Sequence, residues 1–153
     1  MKKFAKILAA VMLVAIVAMT FASCGLFGLN LEKAEDRLED ENYQVYHYKD
    51  YDDADYYTQM MVAYMFEELG IDDEPSAVLG GTKGDEAFYA VKFKKSSEAN
   101  DAYKNAKKNW DDFSEDAEGD LTYGKQGNVI YFGSVDAVKT ALGFPSNIFV
   151  FEK

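Results

Sequence analysis

The chain holds one histidine, His47, and one cysteine, Cys24, and that scarcity bounds its chemistry. No histidine pair and no cysteine-rich metal cluster can form within one chain when the partner residues do not exist. The seven serines share that single imidazole, and none sits in a Gly-x-Ser-x-Gly nucleophile elbow. His47 itself falls inside an alternating stretch, where a lone histidine reads as structural or surface. Acids are plentiful instead, 27 Asp and Glu in all.

The acidic runs can be tested for calcium. An EF-hand loop begun at Asp50 has Asp50 and Asp52 in place, then Ala54 fifth, Asp55 where glycine belongs, and Met61 where the terminal Glu belongs. "SEDAEGD" at residues 114–120 puts Gly119 sixth but ends its loop at Lys125. Both read as solvated acidic loops, and no metal ligand is assigned. Glu67 and Glu68 are the one carboxylate pair beside an apolar helix, and an exposed helix end accounts for them unless burial raises one pKa. "GGTKGDE" at residues 80–86 lacks the Walker spacing and lies between two strands rather than before a helix, so it reads as a hairpin turn. No catalytic residue and no cofactor follow from these motifs.

Binding chemistry has a stronger signal. Seven of the eleven tyrosines fall between residues 43 and 64, together with Met60, Met61 and, just beyond, Met65 and Phe66. As a helix, "YYTQMMVAYMF" is apolar nearly all round, and tyrosine and methionine are favoured at interfaces. Two readings stay open: a helix sandwiched in the core, or a surface that meets a partner or a second copy. The candidate contact residues are Tyr51, Tyr56 and Tyr57, with Tyr51 expected to be the most exposed because it lies in the acidic turn.

The elements that would position these residues follow from periodicity and punctuation. Asn30 caps a helix with Leu31, Ala34 and Leu38 as its buried stripe, and residues 43–49 alternate as a strand. A helix from about residue 53 stops at Gly70, and two strands around a Gly-rich turn lead to Ser96 or Ser97 as the next cap. The helix after it carries Ala99, Ala102, Tyr103, Ala106, Trp110 and Phe113 on one face, with Lys104, Lys107, Lys108 and Asp111 outside. A hairpin turning near residues 126–128, a helix over residues 134–142 and a last strand over residues 147–153 complete the order. From residue 88 onward the succession is strand, helix, strand, strand, helix, strand. The expected class is α+β, a two-layer antiparallel-rich sheet with helices packed on one face and ferredoxin-like split βαβ elements.

The N-terminus supplies the address. Lys2, Lys3 and Lys6 precede an unbroken apolar run of 13 residues, positions 7–19, shorter than the ~20 residues of a membrane-spanning helix. The segment closes on Phe21-Ala22-Ser23-Cys24. It resembles the lipobox of bacterial lipoproteins, matching at the last three positions, with Phe21 where leucine is usual. The resemblance covers the first 24 residues, and it implies a diacylglyceryl group on the Cys24 sulfur with cleavage just before it. A retained anchor and an ordinary secretory signal are the other readings. The expected organisation is a signal peptide at residues 1–23, the lipidated Cys24 with a tether to residue 29, and one domain over residues 30–153. Two acyl chains hold where one does not, at ~0.8 kcal/mol per buried CH2. The five tether residues reach ~17 Å at most, so the domain stays near the bilayer.

Residues 1–23 hold three of the 16 Lys and Arg and none of the acids, so the rest carries 13 basic against 27 acidic residues, a formal charge of −14. Such a surface opposes nucleic acid, whose affinity comes from neutralised phosphates, and it is repelled by anionic headgroups. The function expected is a membrane-anchored binding module of the bacterial cell envelope, facing outside the cytoplasm, with a protein or glycan partner. The alternative is an envelope enzyme with a carboxylate-based hydrolytic site.

Overall fold

Asn30 opens the first helix as its sequence position suggests, its side chain accepting from the Lys33 N–H at 3.1 Å. This helix, α1 (Leu31–Asp40), buries Leu31, Ala34 and Leu38, and Asn42 reverses the chain in the left-handed region. Residues 28–115 and 120–144 are described by the structure, a computed structural model. Beyond α1 they contain β1 (Gln44–Tyr48), a 3-10 turn (Tyr51–Asp53), α2 (Tyr56–Leu69), β2 (Ala77–Lys83) and β3 (Glu86–Lys92). Then come α3 (Ser96–Glu115), β4 (Leu121–Gln126), β5 (Val129–Ser134) and α4 (Val135–Leu142).

The strands form one antiparallel sheet in the order β1-β2-β3-β5-β4, giving the α+β fold that the sequence implies. Both tight hairpins turn on two residues, Gly84-Asp85 and Gly127-Asn128, with the glycine at positive φ in the first position, as a type II′ turn requires. β5 inserts between β3 and β4, which therefore run parallel, with α3 as their crossover. This is the split βαβ element, and β2 flanks β3 on its other side. The expected closing strand at residues 147–153 lies outside the described residues.

The two-layer expectation is corrected: helices cover both faces. On one face α1 and α4 pack Leu31, Leu38, Val138 and Leu142 against Leu79, Phe88 and Val129. On the other α2 and α3 pack Val62, Phe66, Leu69 and Ala102 against Val78, Val91, Ile130 and Phe132. Neighbouring residues of one strand thus serve opposite cores. The physical reason is legible in the central strands, whose apolar runs "AVLGG" and "VIYFG" are buried without alternation, the mark of a sheet with two covered faces.

Three local expectations also shift. Gly80 and Gly81 belong to β2 rather than to the turn, and the Tyr46 ring lies so close over Gly80 that an added Cβ would stand 2.1 Å from Tyr46 Cζ. α3 starts at Ser96, and in place of a serine cap the Glu98 carboxylate reaches back to accept from the Lys95 N–H at 3.0 Å. Its deep stripe is Ala99, Ala102 and Ala106, while Trp110 is only half-buried at the margin of the second core, its ring 4.3 Å from that of Tyr123. Small side chains let α3 approach the sheet closely, and Trp110 closes the gap at the side.

Candidate functional site

The tyrosine-rich segment divides according to what each hydroxyl does. On β1, Tyr46 directs its hydroxyl at the Met61 sulfur at 3.9 Å, and Tyr48 donates to the Asp55 carboxylate. Tyr51 donates to the Gln59 carbonyl at 3.3 Å, and Tyr43 donates to Glu86. Three of these four join β1 or the 3-10 turn to α2, so they fix that helix across the sheet edge. Burial pushes the Tyr46 and Tyr43 hydroxyls far above the ordinary range, with Glu86 adding to the effect at Tyr43.

α2 begins where Asp55 takes the N–H groups of Tyr57 and Thr58 at 2.9 and 3.0 Å. The Tyr48 hydroxyl and those N–H groups hold the Asp55 carboxyl down at about 2. Helix onset therefore falls three residues later than the sequence suggests, at Tyr56 rather than about residue 53, after a 3-10 turn whose Asp50 side chain accepts from the Asp52 N–H. Gly70 ends α2 in the left-handed conformation. Thr58, Val62, Met65, Phe66 and Leu69 form the inward face, with Phe66 stacked on Phe93 at 6.0 Å between ring centroids.

The outward face is apolar as well. Tyr56 is 70% exposed, Tyr57 78%, Met60 53% and Tyr64 63%. Tyr57, Met60 and Tyr64 follow one another at i, i+3 and i+7, a single column on the helix surface, and Tyr56 meets Tyr57 edge-on at 5.8 Å. The hydroxyls of Tyr56, Tyr57 and Tyr64 have no hydrogen-bond partner among the described residues. Of the three candidate contact residues, then, Tyr56 and Tyr57 share an exposed face. Tyr51 does not: it is half-buried against the second core, because its ring wedges the 3-10 turn onto α2. Met60 and Tyr64 take its place. Their signal was the i, i+3, i+7 spacing on a helix whose remaining positions already supply a full core stripe.

Acids frame this column. Asp50, Asp52, Asp53 and Asp55 precede it, Glu67, Glu68, Asp72, Asp73 and Glu74 follow, and no Lys or Arg occurs between Lys49 and Lys83. Eight of these nine acids are exposed and Asp73 is half-buried. The salt bridges of the described residues engage Glu32, Glu35, Glu98, Asp101 and Asp136 instead. Glu67 and Glu68 stand in solvent at the helix end, so they are not a buried catalytic pair.

The other place with chemical potential surrounds His47. Its Nδ1 lies 2.6 Å from Glu35 Oε2, and its side chain is only 5% exposed. It borders a cleft of about 350 Å³ with Asn30, Glu32, Lys49, Lys92 and Asn128. The Lys49 ammonium sits 2.7 Å from Glu32 and lowers that carboxyl's pKa, while Asn128 is committed to the Phe93 carbonyl at 2.6 Å. Among the described residues no serine, threonine or cysteine lines the cleft, so the dyad has no hydroxyl or thiol beside it to activate. Among the described residues no group of three His, Cys, Asp or Glu is placed to hold a metal ion. Cys24 and most of the loop at residues 114–120 lie outside the described residues.

No family model, no curated protein and no solved structure matches the chain.

Proposed function

We propose that this protein is a lipid-anchored binding module of the bacterial cell envelope, held to a membrane through Cys24 and presenting the outer face of α2 to a protein or glycan partner. The observation that carries the reading is the exposed column of Tyr57, Met60 and Tyr64 beside Tyr56. Large apolar side chains gathered on one solvent face, with free hydroxyls at their tips, are what an interface uses and what a monomer's surface does without. The anchor rests on the lipobox resemblance at residues 21–24. No helix among the described residues is long and apolar enough to cross a membrane.

Site-specific crosslinking tests the surface. A photoreactive side chain introduced at Tyr57 or Tyr64 in the anchored protein on intact cells should yield discrete adducts, and one at Lys104 on α3 should not. Adducts from all three positions, or from none, would end the reading. Fatty-acid labelling tests the anchor separately: Cys24→Ala should abolish incorporation and release the chain from membranes.

A further inference from the structure

Building on that binding-surface reading, we infer that the occupant of the α2 face is a cationic polypeptide segment, one that alternates Arg or Lys with apolar side chains. The chemistry is read from the surface itself. Exposed rings form the floor of the site, and nine acids, eight of them exposed, flank it along the chain with no basic residue in the 33 positions from 50 to 82. None of those acids takes part in the salt bridges of the described residues. Tyrosine faces attract cations within ~6 Å, and the chain does this once internally, where Lys83 Nζ sits 5.3 Å over the Tyr43 ring. An Arg or Lys stem would cover Tyr57, Met60 and Tyr64 while its charged head meets Asp52, Asp53, Glu67 or Glu68.

Other occupants fit less well. A second copy docked by two-fold symmetry would press one acidic frame against another, and like charges in juxtaposition cost several kcal/mol. An anionic lipid surface meets the same repulsion. Leu29 packs into the core under α1 and α4 and donates its N–H to the Gln126 carbonyl at 3.4 Å, whereas α2 covers the opposite side of the sheet. A neutral glycan would stack on the rings but would leave the acidic frame without a role.

The test uses the full lipidated chain in phosphatidylcholine nanodiscs and a helical Arg/Leu peptide, compared with the same peptide bearing Glu in place of Arg. The Arg peptide should bind with an affinity that falls as salt rises, and the Glu peptide should not bind. Tyr57→Ser with Tyr64→Ser should weaken binding at least about tenfold while circular dichroism stays unchanged. Neutralising the frame with Asp52→Asn, Asp53→Asn, Glu67→Gln and Glu68→Gln should weaken it similarly and flatten the salt dependence. Neutralising Glu39, Asp40 and Glu41 at the C-terminal end of α1, which are also exposed acids, should change little.

Equal binding of the two peptides would overturn the proposal, as would equal losses from the α1 and α2 neutralisations, which would mean general attraction to an acidic protein. Undiminished binding by the tyrosine variant would do the same, and so would a dimer in sedimentation that the peptide dissociates. Crosslinks from Tyr57 on cells together with no preference for the Arg peptide would leave the binding surface standing and remove only its cationic partner.

Discussion

α2 and α3 lie side by side on the same face of the sheet, yet their outer surfaces have opposite character. α3 turns Ala99, Ala102 and Ala106 inward and Asp101, Lys104, Lys107 and Lys108 outward, so its sequence separates core from solvent cleanly. α2 turns Val62, Phe66 and Leu69 inward and Tyr56, Tyr57, Met60 and Tyr64 outward. Both helices need one buried stripe to hold the sheet, and only α3 stops there. An apolar face beyond what packing requires is the part of a helix that folding leaves unexplained. That excess is why α2, rather than the more regular α3, carries the functional reading.

The sharpest way to break this contrast is to truncate the inner face of α2. Phe66 is buried and stacked on Phe93, so Phe66→Ala should cost about 3 to 5 kcal/mol in denaturant unfolding. A loss no larger than that of an outer-face variant would mean that α2 does not pack on the sheet as described. Trp110→Ala probes the corresponding margin of α3. Because Trp110 is half-buried and rests on Tyr123 and Phe132, its loss should cost roughly 2 kcal/mol, below the figure for a fully buried ring. A cost equal to that of Phe66→Ala would place Trp110 in the deep core.

The same contrast explains what the sequence could and could not disclose. α3 was legible because hydrophobic period and solvent pattern agree along its length. Helix ends at Asn30, Gly70 and Gly143 were legible because each does a job few other residues do. The start of α2 was not, since Asp50, Asp52, Asp53 and Asp55 are all competent caps and the choice depends on which carboxylate reaches two free N–H groups at once. The third layer was written in the unbroken apolar runs of β2 and β5, a signal that a ferredoxin-like order of elements obscured. The outward face of α2 was legible only in part, at Tyr56 and Tyr57: a helix apolar all round has no assigned inside until its neighbours are placed. The Glu35–His47 pair likewise joins residues of two elements with no local spacing rule to announce it.

A smaller effect concerns the cap that fixes where α2 begins. The Tyr48 hydroxyl and the Thr58 N–H depress the Asp55 carboxyl from its ordinary 3.8 to about 2. A carboxyl lowered in the folded state stabilises it at pH above the unfolded value and loses that contribution as pH falls through the folded one. The thermal midpoint of the wild type should therefore exceed that of Asp55→Asn at neutral pH, with the gap closing between about pH 4 and pH 2. A gap independent of pH would show that the charge does nothing and that Asp55 acts through cap geometry alone.

The smallest effect on stability is the most informative about function. Tyr57 and Tyr64 stand largely in solvent with no hydroxyl partner, so replacing both with Ser should move folding stability by no more than about 0.5 kcal/mol. Measured beside Phe66→Ala, that pair of variants sets the two faces of one helix against each other in a single assay. A loss of 2 kcal/mol or more from the tyrosines would mean that the outer face supports the fold, and its apolar character would then need no partner. Stability unchanged, with crosslinking or peptide capture gone, leaves binding as the reason those rings are there. Tyr51→Ser provides the internal control, since that ring wedges the 3-10 turn against α2 and its removal should lower stability where Tyr57→Ser does not.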